Sequence, residues 1–364
     1  METSLLFCCR PKELTTQYYF MLWTRAIFLL AAVIAAVAAL DSFPLQGMHY
    51  QTFDPFLFCA FHHDHYPPSD GAYGVPRHHL RGREVGSDFS QRDGWSMYHG
   101  TSVPGFPAHP HRGFETVTVV VQGKVDHADS NGNTVRYGDG DVQWMTAGRG
   151  LQHSEMFPLM NKQSTNELVL FQIWLNLPKK SKMVAPQYVV FPSAEIPKTT
   201  SPCSQVTVIA GAWHDTTPSW LPPVDSWGYE QGNEVGVWLL ETTEACEISL
   251  PATMYTDTQR TMYLYDNNGM VWFDDVQVLG TRGVRLPAGK AMAFKTAGAT
   301  KALILQGRPI GEPVAQRGPM VMNTHQELQQ AFTDYQRTQF GGWPWPRHDV
   351  VLPGTPTREV GDEL

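Results

Sequence analysis

Two short stretches of this sequence carry pairs of side chains that suit a metal ion. His109 and His111 are separated by Pro110, and His153 and Glu155 repeat the same spacing. Residues i and i+2 of a strand point the same way, and the proline biases the first pair towards an extended backbone. If the two strands lie side by side, three imidazoles and one carboxylate meet at one point. This donor set suits iron, and also nickel, cobalt, manganese, copper or zinc, whereas a thiolate site is excluded.

A single histidine on a half-buried strand is usually a hydrogen-bonded polar residue and not a ligand. Here four donors occur as two identically spaced pairs, and this repetition favours the metal site. More histidines, at 62, 63, 65, 78 and 79, lie in a segment rich in His, Pro, Gly and Arg that spans residues 62–90. We interpret this segment as a solvated surface loop, with a second, looser metal site as the alternative.

The composition indicates which elements must position these residues. The chain has 364 residues, of which 42% are apolar and 17% charged, with 31 glycines and 27 prolines. This is typical of a turn-rich β protein with one large or two ordinary domains. The net charge of −8, without any basic run, argues against a nucleic-acid partner. Five cysteines are too few for a disulfide scaffold.

Apolar and β-branched runs between turn residues predict a series of strands. They lie at 114–121, 141–145, 167–175, 206–212, 235–240, 262–266, 270–278 and 302–305. One helix is predicted from about His325 to Gln339, because Thr324 and Glu327 form a capping box. The Pro/Ser/Thr-rich residues 191–202 are the expected linker. Strands followed by one late helix predict β-sandwiches or β-barrels.

Several of these segments resemble the signature of pirins, which belong to the cupin superfamily. They are 109–116 (HPHRGFET), 141–150 (DVQWMTAGRG) and 153–156 (HSEM), and similarity extends from about residue 53 to 341. The resemblance implies an all-β bicupin, in which two jelly-roll barrels pack face to face beside a C-terminal helix. The expected domains are an N-terminal metal-binding cupin (41–192) that holds the insertion 62–90, a metal-free C-terminal cupin (203–341) and a tail (342–364).

The resemblance also implies a cofactor and a reaction. It assigns one Fe(II) per chain, with other divalent transition metals as alternatives, to His109, His111, His153 and Glu155. Glu115 is kept as the alternative carboxylate ligand or as a residue that supports the site, because it shares the strand parity of His111. The implied activity is that of a quercetin 2,3-dioxygenase. Glu155 accepts the 3-hydroxyl proton of a flavonol, and O₂ opens the ring with loss of carbon monoxide.

Other functions stay open at this point. The main alternative is an iron-dependent redox-sensing binding module, like the pirins that act as transcription coregulators, with an unidentified protein partner and no turnover. A metal-storage or purely structural bicupin is a third alternative. Phe114, Val142, Trp144 and Met145 are candidate pocket walls, although core packing is the commoner role for such residues.

The two ends of the chain predict a location. Residues 18–40 are almost entirely apolar and 27–40 form an uninterrupted apolar run, which predicts a signal peptide or a retained membrane anchor over residues 1–40. The last four residues, GDEL, resemble an endoplasmic-reticulum retrieval signal. We therefore expect a location in the lumen or membrane of the endoplasmic reticulum. A cytoplasmic location is the alternative, because Cys59, Cys203 and Cys246 leave an odd thiol.

Overall fold

Strands dominate the computed structural model, which describes residues 40–267 and 269–353. Within these residues the chain forms 23 strands, one α-helix and five short 3₁₀ helices. In the N-terminal half the strands are β1 (Ser42–Pro44), β2 (His49–Tyr50), β3 (Phe56–Tyr66), β4 (Gly105–His111), β5 (Phe114–Gln122), β6 (Lys124–Asp129), β7 (Thr134–Gly138), β8 (Val142–Thr146), β9 (Leu151–Met156), β10 (Asn166–Asn176) and β11 (Gln187–Phe191).

The remaining strands begin within the expected linker (191–202), where β12 lies, and continue through the C-terminal half of the chain. The strands are β12 (Lys198–Thr200), β13 (Ser204–Ala210), β14 (Gly236–Thr242), β15 (Cys246–Leu250), β16 (Gln259–Asn267), β17 (Met270–Phe273), β18 (Val276–Leu279), β19 (Arg282–Arg285), β20 (Met292–Thr296), β21 (Thr300–Gly307), β22 (Ala315–Arg317) and β23 (Met320–Met322). The helix α1 spans His325–Thr338, and the 3₁₀ helices are Arg77–Leu80, Arg92–Gly94, Lys179–Ser181, Gln231–Asn233 and Gln339–Gly341.

The N-terminal barrel consists of two antiparallel sheets. The larger sheet has the strand order β11-β8-β5-β10-β3-β2, and the smaller has the order β4-β9-β6-β7. The central strand β5 has the sequence FETVTVVVQ, and its first seven residues are all buried. A run of this kind, rich in β-branched residues, suits a strand that is covered on both faces.

The C-terminal barrel repeats this arrangement. Its sheets have the strand orders β1-β19-β16-β21-β14-β13-β12 and β15-β20-β17-β18. Strand β1 pairs antiparallel with β19, so the chain contributes a strand to the C-terminal barrel before it builds the N-terminal one. Cys203 and Cys246 form a disulfide with their Cα atoms 5.6 Å apart, and Cys59 is a buried free thiol.

The larger sheets of the two barrels pack against each other through one hydrophobic core. Val117 and Ile173 enter it from the N-terminal barrel, and Val237, Tyr263 and Leu303 enter it from the C-terminal barrel. Each fully buried aliphatic side chain of this kind contributes about 1.5–3 kcal/mol of transfer free energy. The face-to-face bicupin that the resemblance implies is therefore confirmed.

Helix α1 begins with the predicted capping box. The Thr324 side chain accepts a hydrogen bond from the Glu327 backbone N–H, and the Glu327 side chain accepts one from the Thr324 backbone in return. Two hydrogen bonds connect the helix to the N-terminal barrel. Asp334 accepts a 2.8 Å hydrogen bond from Arg112, and Tyr335 donates a 3.1 Å hydrogen bond to Gln152. The helix therefore supports the strands that carry the two histidine motifs.

One predicted strand proves to be two. The single strand expected over 270–278 is a hairpin, in which β17 and β18 pair antiparallel. Asp274 has a left-handed backbone (φ 51°) at the turn between them. Aspartate tolerates this conformation better than most residues, which is why an otherwise apolar run reverses here.

The expected location in the lumen or membrane of the endoplasmic reticulum is contradicted. The predicted signal peptide or anchor and the C-terminal tetrapeptide fall on residues 1–39 and 354–364, outside the described residues. Within the described part of the chain, no helix is long and apolar enough to cross a membrane. Helix α1, with 14 residues, is about 21 Å long, whereas a hydrocarbon core is about 30 Å thick.

Candidate metal centre

Strands β4 and β9 lie side by side and bring the two histidine motifs together. His109 is directly opposite His153 in the antiparallel register, and His111 follows two residues later. The ring centroid of His153 lies 4.5 Å from that of His109 and 4.8 Å from that of His111. One nitrogen from each of the three rings lies within 4.8 Å of the others. Three of the four predicted ligands thus converge because β4 and β9 pair in this register.

Glu155 reaches the same cluster from β9. Its Oε2 atom lies 3.8 Å from His153 Nε2. Gln172 Nε2 donates a 2.7 Å hydrogen bond to Oε2, and Thr118 Oγ1 donates a 3.1 Å one to Oε1. These contacts come from β5 and β10 of the opposite sheet, so the barrel closes around the carboxylate and fixes its orientation.

Burial sets the protonation of this cluster. Burial lowers the pKa of His109 to about 4, and it lowers the pKa values of His111 and His153 well below the ordinary value. Burial raises the pKa of Glu155 to about 7, although hydrogen bonds from Thr118 and Gln172 oppose the rise. The histidines are therefore neutral at physiological pH, which is the form that binds metals.

The side chains present fit the metal that the resemblance implies. Both ring nitrogens of His153 are buried without a hydrogen-bond partner, which is costly unless another group satisfies them. His109 Nδ1 lies 2.9 Å from the Pro107 carbonyl and donates to it, so Nε2 remains for a metal, as in many metal sites. Neutral imidazoles with free nitrogens beside one carboxylate form a suitable donor set for a divalent transition metal.

His127 is a further buried histidine beside this cluster, and the sequence patterns did not single it out. It lies on β6 directly opposite Glu155. Its Nε2 atom is 3.5 Å from the Asp129 carboxylate, and its ring stacks on Tyr188. In the sequence His127 and Asp129 have the same i, i+2 spacing as His153 and Glu155, but only the pairing of β6 with β9 places His127 beside the cluster.

A cavity of about 310 Å³ opens onto the cluster. Aromatic and aliphatic side chains form most of its walls, together with a few polar groups. It is lined by Met48, His49, Phe58, Ala60, His62, Phe89, Phe106, His109, His111, Glu155, Phe157, Leu170, Gln172, Trp174, Gly318 and Pro319. Such a cavity suits a small aromatic molecule that carries polar groups.

None of the four candidate wall residues lines this cavity. Val142 and Trp144 point the other way, into the core between the barrels. Phe114 lies behind the wall, against His111 and Trp174, and Met145 is buried. These four residues therefore pack in the protein interior, which is the alternative role considered for them.

The His-rich segment is more ordered than the loop interpretation suggests. Residues 62–66 form the end of β3, and the segment that follows is tied down by buried polar contacts. Arg83 donates a 2.9 Å hydrogen bond to Asp88 and lies over the Trp95 ring, with its guanidinium carbon 3.3 Å from the ring centroid. Phe89 of this segment lines the cavity, so the insertion contributes directly to its shape.

Glu115 does not join the cluster. Gly113, whose φ is 84°, makes the turn between β4 and β5 so close to the Val321 carbonyl that no side chain would fit there. The turn passes the chain from one sheet to the other, and strand parity is not carried across it. Glu115 consequently points into the interface between the barrels, where it accepts a 2.6 Å hydrogen bond from Ser226 Oγ.

Burial raises the pKa of Glu115 to about 7, against an unfolded value of about 4.3. The folded protein therefore holds this proton more tightly than the unfolded chain does. The resulting stabilisation is complete below about pH 4 and is lost as the pH rises through 7.

Replacement of Glu115 by Ala is expected to destabilise the contact between the barrels. Trp144 Nε1, Thr146 Oγ1 and Ser226 Oγ all donate to this carboxylate and would lose their acceptor. Since an unpartnered buried donor costs about 1–3 kcal/mol, we expect the free energy of unfolding to fall by about 3 kcal/mol in urea denaturation. Ser226→Ala removes one bond alone and should cost about 1 kcal/mol. An unchanged midpoint for Glu115→Ala would contradict this account.

The interior of the C-terminal barrel contains different polar side chains from those of the N-terminal barrel. Arg260 is buried there and donates a 2.7 Å hydrogen bond from Nε to Gln306 Oε1. Among its described residues, no three His, Cys, Asp or Glu side chains converge as they do in the N-terminal barrel. The expectation that this barrel binds no metal stays a prediction.

Comparison with known proteins places this geometry in a family. The family model described as Pirin matches residues 39–175, and the model of the Pirin C-terminal cupin domain matches residues 239–341. A pirin-like protein of Caulobacter vibrioides is 35% identical over 282 residues, which are 75% of this chain and 95% of that protein. Pirin-1 of Arabidopsis thaliana is 36% identical over 65% of this chain and 78% of its own length.

A solved structure is similar as well. The crystal structure of a quercetin 2,3-dioxygenase from Acinetobacter baumannii superposes with a TM-score of 0.64 at 26% identity, and the match covers 83% of this chain and 98% of that one.

Proposed function

The chain belongs to the pirin family, and on that premise we propose that it is a metal-dependent dioxygenase that opens flavonols such as quercetin with O₂. The observation that carries the proposal is the joint presence of the histidine–glutamate cluster and an aromatic cavity that opens onto it. The similarity to a quercetin 2,3-dioxygenase supports the same substrate class. The proposed ligands are His109, His111, His153 and Glu155, and the proposed metal is Fe(II), one per chain.

The protein's own contribution begins with the position of the substrate. Phe58, Phe106 and Trp174 offer apolar surfaces to an aromatic ring system, and a bound substrate would displace water from the cavity. The proposed pose directs the flavonol 3-hydroxyl towards Glu155. Iron held by the four proposed ligands would supply the positive charge that favours the deprotonated hydroxyl, and would provide the redox chemistry that O₂ requires.

Glu155 is the proposed general base. Without a metal, burial raises the pKa of Glu155 to about 7, and a bound cation would lower this pKa and favour the carboxylate that accepts a proton. Gln172 and Thr118 hold one carboxylate oxygen each, so the group cannot rotate away when it accepts the proton. The positioning of this carboxylate by two strands of the opposite sheet is the part of the mechanism that the fold provides.

The direct test is an oxygen-electrode assay of the iron-loaded protein with quercetin. We expect one O₂ consumed and one carbon monoxide released per quercetin, and no consumption by protein treated with a chelator. Absence of O₂ uptake with every flavonol tried would contradict the proposal. It would favour the alternative of an iron-dependent redox-sensing binding module.

Ala60→Phe should separate substrate binding from metal binding. Ala60 lies in the cavity wall between Phe58 and His62 on β3, and a phenyl ring there occupies space that the substrate needs. We expect kcat/KM with quercetin to fall at least about tenfold, the lower end of what a misfit in a binding pocket costs. Metal content should stay at the wild-type level, and an unchanged kcat/KM would place the substrate elsewhere.

A further inference from the structure

The alternation of β3 divides the His-rich segment between two environments. His62 and Asp64 are buried, whereas His63 and His65 point outward, with their side chains 46% and 56% exposed. Asp64 accepts hydrogen bonds from the Ser96 backbone N–H and the Tyr98 hydroxyl. The two outward histidines are thus left as an i, i+2 pair that faces solvent.

A carboxylate from the neighbouring strand joins this pair. Glu167, on β10, lies directly opposite His65 in the antiparallel register. Its Oε1 atom is 3.0 Å from His63 Nε2 and 3.9 Å from His65 Nδ1, and the two imidazole centroids are 4.6 Å apart. Gln122 donates a 3.1 Å hydrogen bond to the other carboxylate oxygen and so orients the group.

We propose that His63, His65 and Glu167 form a second metal site, separate from the buried cluster, which binds Zn²⁺ from solution. Zinc bonds of about 2.0–2.2 Å in a tetrahedron place neighbouring donor atoms roughly 3.3 Å apart. Here Glu167 Oε1 lies 3.0 and 3.9 Å from the two histidine nitrogens, and one donor atom from each of the three residues lies within 4.8 Å of the others. Two imidazoles and one carboxylate leave one position for water. Cu²⁺ binds the same donors more tightly, according to the general order of affinities.

The position of the cluster indicates what binding would do. Phe61, two residues before His63 on the same face, packs against the core between the barrels. Gly94, which follows the insertion, lies against the His65 ring. A metal here would therefore join β3 to β10 at the point where the insertion leaves the barrel, and it would stabilise that junction. This inference does not depend on the proposed dioxygenase activity.

The test is a calorimetric Zn²⁺ titration of the full chain after the buried site has been saturated with Zn²⁺ and excess metal removed. We expect one further equivalent to bind, and the melting temperature to rise by about 5 °C at a hundredfold excess over the dissociation constant. His65→Ala and Glu167→Gln should weaken this second equivalent at least about tenfold and remove the thermal shift. Because both residues are partly exposed, melting without Zn²⁺ should be unchanged.

A matched control is the double variant His78→Ala and His79→Ala. These histidines are exposed and adjacent, with ring centroids 4.1 Å apart, but they belong to no three-donor cluster among the described residues. The control should bind the second Zn²⁺ like the wild type. The proposal fails if no second equivalent binds, if His65→Ala leaves it intact, or if the control loses it. Electron paramagnetic resonance of added Cu²⁺ should show two nitrogen ligands in the wild type and one in His65→Ala.

Discussion

Replacement of His153 by Ala is expected to remove the tightly held metal from the N-terminal barrel. His153 lies opposite His109 and contacts all three other proposed ligands or their rings, so its loss opens the centre of the cluster. Loss of a hydrogen bond behind a ligand already costs a metal site about 10–100-fold in affinity. Loss of the ligand itself should cost more than about 100-fold. Metal analysis after gel filtration should find about one equivalent in the wild type and close to none in the variant.

His127→Ala is the matched control for this experiment. His127 is also fully buried and lies beside His153, with 5.5 Å between the ring centroids, but it is not a proposed ligand. We expect this variant to keep its metal. Retention of the metal by His153→Ala, or equal loss from both variants, would show that the four-residue assignment is wrong. Circular dichroism of both proteins distinguishes metal loss from unfolding.

Glu155→Gln is expected to lower the rate of flavonol opening by about 10²–10⁴, the usual cost of removing a general base. Glutamine has nearly the same size and retains a carbonyl oxygen for the Thr118 hydrogen bond, but it cannot accept the substrate proton. The rate should be measured as O₂ uptake at saturating quercetin, together with the metal content of the same sample. A variant that holds metal and has lost turnover identifies the base function of Glu155 separately from its function as a ligand.

A second buried glutamate, Glu115, provides the control for Glu155→Gln. Burial also raises the pKa of Glu115 to about 7, but this carboxylate faces the interface between the barrels. Glu115→Gln should therefore keep its turnover within a few-fold of the wild type. If both variants lose activity equally, the effect of Glu155→Gln reflects general destabilisation. If Glu155→Gln retains full activity, the base must be another group.

The candidate ligands were predictable from sequence because their geometry is local. The spacing of His109 and His111, and of His153 and Glu155, places each pair on one face of a strand wherever that strand lies. The same reasoning holds for helix α1, whose capping box involves residues three positions apart. Strands β5 and β10 were predicted to within two residues, because each is a long apolar run between turns.

Tertiary structure decided whatever depends on which strands become neighbours. The pairing of β6 with β9 brings His127 to the cluster, and the turn at Gly113 sends Glu115 into the opposite sheet. Glu167 meets His65 from about a hundred residues away, because β10 pairs with β3 in that register. Strand register is fixed by the burial of whole sheet faces, and a shift of one residue would reverse every side chain. Local spacing therefore determined the candidate ligand pairs, while the packing of the two barrels determined the cavity and every partner that those pairs meet.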